Sequence, residues 1–285
     1  MPLVILTWGL GPPVTALIRA SPVASTLLRF WLADVVLTVA ILVTRRAHPL
    51  RVLLRSAPSG CCFALNNLSF FVAIQHASVV VVSVLFTLQP AFVVVLGGRF
   101  LGERTTRRQL AWTAVGVLGA VIVVAGANGA VRSDAFGILM ALLSTLAQSA
   151  YHVLNRAARR ENPVDPLVWM TGVTFFGAVL LTPIAILTTD LSDYRSLDST
   201  DLASIAFLSV GVGVLGHALM ISVHKHLAAS TSALYLLLYN VVAVVVAWPL
   251  NHEPLTLVQA FGGLVVLTSA AAIAAGPVRP RPAGR

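Results

Sequence analysis

Residues 83–109 read SVLFTLQPAFVVVLGGRFLGERTTRRQ, and this stretch decides the fold class. It begins as an apolar helix, is interrupted at Gln89-Pro90, and continues through an apolar run to Leu96. It then stops in a polar segment that is rich in arginine. An apolar run of this length that ends in a basic loop is typical of a transmembrane helix. The stretch therefore predicts that this part of the chain crosses a membrane.

A related stretch occurs in the second half of the chain, where residues 232–259 read SALYLLLYNVVAVVVAWPLNHEPLTLVQ. Glu253 and Gln259 follow Glu103 and Gln109 at one constant offset, 150 residues (259 − 109), but the arginines are missing from the second loop. Short cytoplasmic loops gather Lys and Arg, whereas external loops do not. Two related spans that leave the bilayer on opposite sides explain this difference, so the pattern favours an inverted repeat over a chance match of apolar sequences.

The composition points to the same class of protein. Of the 285 residues, 58% are hydrophobic and only 10% are charged, whereas soluble domains carry about 25% charged residues. The net charge of +9 does not indicate nucleic-acid binding, because the basic residues stand at the ends of apolar spans, where they orient the chain in a bilayer. Cys61 and Cys62 are adjacent, which fits neither a disulfide framework nor zinc-ligand spacing. We expect no metal site and no cofactor.

Ten apolar stretches are candidates for membrane spans. The first half, residues 1–126, and the second half, residues 135–276, each contribute five, separated by a linker at 127–134 and followed by a basic tail at 277–285. An odd number of spans per half forces the second half to enter the membrane upside down. The sequence thus predicts an all-α membrane protein of ten transmembrane helices, built as two inverted five-helix repeats around a central cavity. The ten spans are residues 2–18, 22–43, 56–76, 79–101, 108–126, 135–155, 166–188, 202–224, 229–250 and 256–276.

The distribution of basic residues predicts the orientation. The loops after the even-numbered spans, with the C-terminal tail, hold fifteen basic residues, and the opposite side holds three: Arg19, Arg132 and Arg195. This bias predicts that both termini are cytoplasmic in the plasma membrane. The fifteen are Arg45, Arg46, Arg51, Arg55, Arg99, Arg104, Arg107, Arg108, Arg156, Arg159, Arg160, Lys225, Arg279, Arg281 and Arg285.

Several short motifs recur at characteristic places in the first half. Leu101-Gly102-Glu103-Arg104 is followed by Arg107-Arg108-Gln109 and by a closing helix with Gly116, Gly119 and Gly126. With these motifs the chain resembles the EamA-like branch of the drug/metabolite transporter superfamily. Further residues that fit the resemblance are Trp8-Gly9, Leu28-Arg29-Phe30 and Ala77-Ser78.

The resemblance covers nearly the whole chain and implies ten helices, cytoplasmic termini and a substrate cavity lined mainly by spans one, three, four, six, eight and nine. Two features depart from the family pattern. Gly11-Pro12-Pro13 replaces the usual polar stretch after Trp-Gly, which puts the contribution of the first helix to the cavity in doubt. Asn251-His252-Glu253-Pro254 stands where Leu-Gly-Glu-Arg is usual.

Polar residues inside apolar spans are the candidates for substrate binding. Gln89-Pro90 and Tyr239-Asn240 occupy equivalent places in spans four and nine, and paired interruptions are where repeat-built transporters bind solutes. Hydrogen bonding between packed helices is the alternative explanation of such residues. The complete set of cavity candidates is Gln89, Tyr235, Tyr239, Asn240, Asn66, Asn67, Gln148, His152 and His217.

Asp34 and Arg29 are the candidates for coupling. A carboxylate well inside a span is costly and indicates either an ion pair or a role in proton coupling or substrate contact. Arg29 lies five residues earlier, a spacing that does not favour contact with Asp34 on a helix. Because Arg29 lies near the external end of its span, an interfacial role is the simpler interpretation.

The sequence predicts a secondary transporter that exports small organic metabolites, such as amino acids or related compounds or drug-like molecules, by alternating access. Import of a sugar or a nucleotide-related solute, and a non-transporting membrane scaffold subunit, are the alternatives. No Walker-type loop, His-Glu-x-x-His or Gly-x-Ser-x-Gly motif is present, so we expect no enzyme. The expected partners are a small-molecule substrate, protons as a candidate coupling ion, and the lipid bilayer. One chain can enclose such a site alone, and a homodimer is left open.

Overall fold

The computed structural model describes residues 2–46, 49–100, 106–126, 133–161, 165–217, 219 and 229–275. Within these ranges the secondary structure is entirely helical. The predicted linker at 127–134 lies mostly outside them, and so do Glu103 and the basic tail. The helices are α1 (Pro2–Gly9), α2 (Gly11–Thr15), α3 (Pro22–Val43), α4 (Leu50–His76), α5 (Val79–Phe86), α6 (Gln89–Phe100), α7 (Arg107–Ala125), α8 (Ala135–Glu161), α9 (Pro166–Thr188), α10 (Leu191–Arg195), α11 (Ser199–Ala206), the π-helical α12 (Phe207–Leu215), α13 (Ala229–Asn251) and α14 (Leu257–Ala274).

The part of the chain that the structure describes contains seven helical segments that are long and apolar enough to cross a membrane. They are Pro22–Val43, Leu50–His76, Val79–Gly97, Arg107–Ala125, Ala135–Ala158, Pro166–Thr188 and Leu257–Ala274, and each overlaps one predicted span. The other three predicted spans contain α1 and α2, α11 and α12, and α13. The chain is a multi-pass, all-helical membrane protein, and the count of ten spans stays a prediction.

The interruption predicted at Gln89-Pro90 divides the fourth span into two helices. α5 ends at Phe86, and α6 begins at Gln89 after a turn at Thr87 and Leu88. Proline has no backbone N–H and clashes with the preceding turn, so a continuous helix is broken there. Tyr239-Asn240, the equivalent pair, lies within the continuous helix α13. Only one member of the predicted pair of interruptions is therefore present.

Two helices at equivalent places in the predicted halves begin in the same way. Thr106 caps α7 and Thr256 caps α14, and each hydroxyl accepts a hydrogen bond from the N–H of the glutamine three residues later, at 3.2 Å. In turn, the side-chain oxygens of Gln109 and Gln259 accept hydrogen bonds from the threonine N–H groups, at 2.9 and 3.1 Å. These reciprocal bonds satisfy donors that a helix start leaves open. The two glutamines thus have the same local role.

Helices α7 and α14 pack closely and in opposite directions. Gly126 at the end of α7 lies beside Val258 at the start of α14, whereas Gly116 lies beside Ser269 near the end of α14. Between them a Cβ on Gly262 would stand 2.8 Å from the Gly119 carbonyl oxygen, so the backbones touch only because glycine is present. Small residues permit this approach between membrane helices.

Each of three polar contacts joins two segments that the charge pattern assigns to the same side of the membrane. On the predicted external side, Asp134 pairs with His76 at 3.0 Å, and Asp201 accepts from the Arg19 N–H at 3.0 Å. On the predicted cytoplasmic side, Arg46 pairs with Asp165. None of these contacts crosses the predicted bilayer.

Candidate functional site

A cavity of about 220 Å³ lies between the described helices of the two halves of the chain. Its walls come from α1–α6, α8, α12 and α13, together with His217 just beyond α12. Eight of the nine predicted substrate-binding residues line it: Asn66, Asn67, Gln89, Gln148, His152, His217, Tyr239 and Asn240. The side chain of Tyr235, the ninth, lies outside the described part of the structure.

The two asparagines of α4 use their amide donors to hold neighbouring backbone. Asn66 Nδ2 donates to the carbonyl oxygen and the hydroxyl of Ser144 on α8, at 3.1 and 2.9 Å. Asn67 Nδ2 donates to the Phe63 carbonyl at 2.8 Å. Both residues line the cavity, and Asn66 also joins α4 to α8, so the packing explanation applies to part of its side chain.

Other polar groups on the wall are left without partners. Asn240 is 5% exposed, and its Oδ1 has no hydrogen-bond donor among the described residues. The same holds for Gln148 Oε1, although its amide nitrogen meets His152 Nε2 at 3.2 Å, and for the buried Ser83 hydroxyl. Buried polar atoms are almost always paired in native proteins. Because Asn240 and Gln148 line the cavity, each brings an amide oxygen without a partner close to a bound solute.

Aromatic rings centred on Trp8 form another part of the wall. The Trp8 ring lies 5.2 Å from the His217 ring and 6.0 Å from the Tyr239 ring, in a tilted and an edge-on arrangement. Gly9 lets this turn of α1 approach α13, because a Cβ there would meet Val242 at 2.6 Å. Sequence reasoning missed Trp8 as a site residue, although Trp8-Gly9 was visible as a motif.

The first span contributes to the cavity despite its unusual sequence. Gly11, Pro12 and Thr15 line the wall beside Trp8, and Pro12-Pro13 open the short helix α2. Proline is well placed in the first turn of a helix, where its missing N–H would have no partner. The prolines therefore break the span into α1 and α2 without removing it from the site. The doubt about the contribution of this helix is resolved in its favour.

The π-helical segment α12 forms the wall beside Trp8. Val212 of this segment lines the cavity, and its carbonyl accepts a hydrogen bond from the Trp8 indole N–H at 3.2 Å. Just beyond, His217 Nδ1 lies 2.7 Å from the Gly213 carbonyl. A carbonyl only accepts, so Nδ1 donates, and neutral His217 keeps Nε2 as an acceptor. Such π-helical turns are frequent at functional sites.

The two coupling candidates are in different environments. Asp34 is 8% exposed and is absent from the cavity wall; its Oδ1 accepts from Thr174 on α9 at 3.2 Å. Arg29, in contrast, lines the cavity. The described residues show no ion pair between the two. The structure thus places Arg29 at the site, whereas the sequence predicts it at the membrane interface. Asp34 lies between packed helices.

Comparison with known proteins identifies the family. The family model described as the EamA-like transporter family matches residues 1–125 and 135–275. The chain belongs to the EamA-like transporter family. It is therefore a multi-pass membrane transporter, and the resemblance read from Trp8-Gly9 and the loop motifs is confirmed.

Two relatives cover almost the same length. An uncharacterized transporter from Archaeoglobus fulgidus is 26% identical over 276 residues, which is 93% of this chain and 94% of that protein. The uncharacterized transporter YvbV from Bacillus subtilis is 27% identical over 274 residues, covering 93% and 87%. A crystal structure with 20% identity superposes with a TM-score of 0.63 over 95% of this chain and 93% of its own. At that identity the likeness shows the fold alone.

Proposed function

We propose that this EamA-like protein is a secondary transporter that exports small organic metabolites from the cytoplasm by alternating access. The observation that carries the proposal is the cavity, whose wall holds unpaired amide oxygens at Asn240 and Gln148. A scaffold subunit would instead have Gln89, Asn240 and His217 paired with one another in a sealed core. Among the described residues no hydrogen bond joins these three side chains, and the space between the helices is open.

The proposed architecture is two inverted five-helix halves, residues 1–126 and 135–276, in the plasma membrane with both termini cytoplasmic. Helix contacts occur in pairs that are related by interchanging the equivalent helices of the two halves, and these pairs support the architecture. α1 packs on α13, and the equivalent pair α8 and α6 also packs; α4 packs on α9, and α3 packs on α12. The two separate matches of the family model add support. Rocking of one such half against the other is how repeat-built transporters expose a site alternately.

The size of the cavity bears on the substrate. Pockets for drug-sized ligands measure about 300–1,000 Å³. At about 220 Å³ this cavity fits a small metabolite better than a bulky drug-like compound. Amino acids and related small compounds are therefore the first substrates to test, ahead of drug-like molecules and nucleotide-related solutes.

A proton is the candidate coupling ion, and facilitated diffusion is the alternative. His217 lines the cavity, and its Nε2 keeps a lone pair for a proton because Nδ1 donates to the Gly213 carbonyl, whereas Asp34 is bonded to Thr174 and is absent from the wall. We therefore favour His217 over Asp34. Asp34→Asn is expected to leave the pH dependence of transport unchanged, and His217→Asn is expected to reduce it.

Ligand screening followed by counterflow tests the function. Purified protein is screened by thermal shift with amino acids, purines, polyamines and organic acids, and each hit is assayed by counterflow in proteoliposomes of known orientation. Asn240→Ala should weaken binding and transport about tenfold, since a buried polar contact is worth about 1 kcal/mol or more. Asn251→Ala, at the end of the same helix and outside the wall, is the control. Counterflow that is absent for every hit would exclude a transporter of these solutes, and faster inward than outward movement would favour import.

A further inference from the structure

The described cavity wall carries one permanent charge. Arg29, on α3, is the lone Arg, Lys, Asp or Glu among the residues that line it. The rest of the described wall is aromatic, aliphatic, amide, hydroxyl or imidazole. A single guanidinium thus sets the electrostatic character of the site.

No protein carboxylate neutralises this guanidinium within the described residues. The nearest acid on its own helix, Asp34, bonds to Thr174, and the described ion pairs, Arg46–Asp165 and His76–Asp134, lie at the helix ends. Arginine keeps its charge under all physiological conditions. A charge inside a membrane protein that lacks a partner is costly and marks a site for a ligand of opposite charge.

A second observation concerns the acceptors on the same wall. Asn240 Oδ1 and Gln148 Oε1 are buried without donors, and Asn240 is 5% exposed. A solute satisfies them with N–H or O–H groups. The rings of Trp8, Phe63 and Phe70 supply an apolar surface for the body of such a solute.

From this arrangement we propose that the substrate is an organic acid with one carboxylate, which binds Arg29, and with an O–H or N–H donor that reaches the amide oxygens. The proposal deepens the proposed function and rests on it. One guanidinium matches one negative charge and pairs with a carboxylate in a two-bond fork, whereas a phosphate monoester carries about −1.5 to −2. Among the small metabolites to be screened, this inference places organic acids ahead of amines and of zwitterions such as amino acids, because the described wall offers no carboxylate to an ammonium group.

A matched series of probes tests the charge requirement. 4-Hydroxyphenylacetate, its neutral amide and tyramine share one ring and one hydroxyl and differ in charge; phenyl phosphate represents the other class of anion. Binding to the full chain in nanodiscs is measured by isothermal titration calorimetry. We expect 4-hydroxyphenylacetate to bind about tenfold more tightly than the other three, as the loss of a charge-assisted bond predicts.

Variants at Arg29 assign the effect to this residue. Arg29→Gln should remove the preference for the acid, and Arg29→Lys should keep part of it, because lysine retains the charge but not the fork. Arg51→Gln, an exposed arginine in α4 away from the cavity, is the matched control and should behave as wild type. If Arg29→Gln does not fold, the lysine variant and the probe series still decide the outcome.

The outcomes separate this inference from the proposed function. Equal binding of the acid, the amide and tyramine, with counterflow of another solute intact, would overturn the organic-acid assignment and leave a transporter. Tighter binding of phenyl phosphate would overturn the choice of carboxylate. Failure of every probe to bind would also overturn the assignment, and the proposed function would fail with it if counterflow of every screened solute were absent.

Discussion

Glu253 illustrates how one side chain joins two spans at the predicted external face. It lies between α13 and α14, and its Oε2 accepts from the Val80 N–H, in the first turn of α5, at 3.3 Å. Burial raises the pKa of the Glu253 carboxyl, and the hydrogen bonds from the Val79 and Val80 N–H groups partly oppose this rise. The residue thus caps a helix start at the cost of partial desolvation.

The raised pKa predicts a pH-dependent stability. A carboxyl whose pKa is higher in the folded state stabilises the fold below its unfolded pKa, and this contribution is lost as the pH rises through the folded pKa. A glutamine at position 253 cannot ionise, so Glu253→Gln does not lose this contribution. The melting temperature of wild type should therefore fall relative to that of Glu253→Gln as the pH rises from acidic to neutral. Thermal unfolding of both proteins across this range measures the difference.

Asp134 provides a control of opposite sign. A hydrogen bond from the Gly137 N–H, aided by His76, lowers the pKa of Asp134, so its contribution is present at neutral pH and is lost on acidification. Asp134→Asn should therefore lose stability relative to wild type at neutral pH and approach it in acid. If the melting temperatures of Glu253→Gln and wild type differ by the same amount at every pH, the raised pKa of Glu253 is contradicted.

Sequence reasoning found the polar residues of the cavity because amides and histidines are rare inside apolar spans. It missed Trp8, Phe63 and Phe70, since an aromatic residue that faces a cavity has the same sequence context as one that faces lipid. It also misplaced Arg29, because the direction of a side chain depends on which helices surround α3. That information is carried by packing and not by position along the span.

At the scale of helices, the contact between α7 and α14 depends on backbone approach. The Cβ of an alanine at position 262 would stand 2.8 Å from the Gly119 carbonyl oxygen and 2.9 Å from the Val123 nitrogen. Neither atom is the end of a flexible side chain, so the helices would have to separate. At Gly263, one residue further, the nearest neighbour of an added Cβ is Val84, at 3.8 Å.

These adjacent glycines form a matched pair of test sites. Gly262→Ala should destabilise the protein by about 1–3 kcal/mol through overpacking. Gly263→Ala should leave stability unchanged or raise it by up to about 1 kcal/mol, because alanine favours the helix more than glycine does. Denaturation in detergent micelles, followed by circular dichroism, compares the two, and equal stability of both variants would show that α7 and α14 do not need this close contact.

The breaks in the helices were predictable in part. Pro90 marked the break between α5 and α6, and Pro12-Pro13 marked α2, since proline has a fixed backbone angle and no N–H. The π-helical segment α12 was not predicted, because FLSVGVGVL contains no residue that requires an i→i+5 pattern. The seven long apolar segments follow from hydrophobic length alone. How the helices pack around the cavity does not.

For the whole molecule, an anionic substrate would make transport sensitive to membrane potential. One elementary charge is worth about 2.3 kcal/mol per 100 mV, or about fifty-fold in concentration ratio. An inside-negative cell would therefore drive a monoanion outwards with no coupling ion. This is the physical reason to link Arg29 with export.

Proteoliposomes with an imposed potassium diffusion potential test this link. Efflux of 4-hydroxyphenylacetate should accelerate when valinomycin makes the interior negative and should slow when the sign is reversed. If transport is facilitated diffusion of the anion, a collapsed pH gradient should have little effect. The opposite pattern, in which the pH gradient governs the rate and the potential does not, would instead indicate electroneutral co-transport of the anion with a proton, with His217 as the proton carrier.

The antiparallel contact of α7 with α14 has a consequence for the balance of states. Under the proposed duplication these two helices are equivalent. When the transporter switches between its two open forms, each half takes on the conformation of the other, and α7 still packs against α14. If this contact keeps one geometry in both forms, a substitution there changes the energies of the inward-open and outward-open forms by equal amounts and leaves their ratio untouched. The contact of α1 with α13 instead takes on the geometry of the contact of α8 with α6. A substitution at Gly9 would therefore shift the ratio of inward-open to outward-open forms. Total stability and conformational preference are thus controlled from different helices.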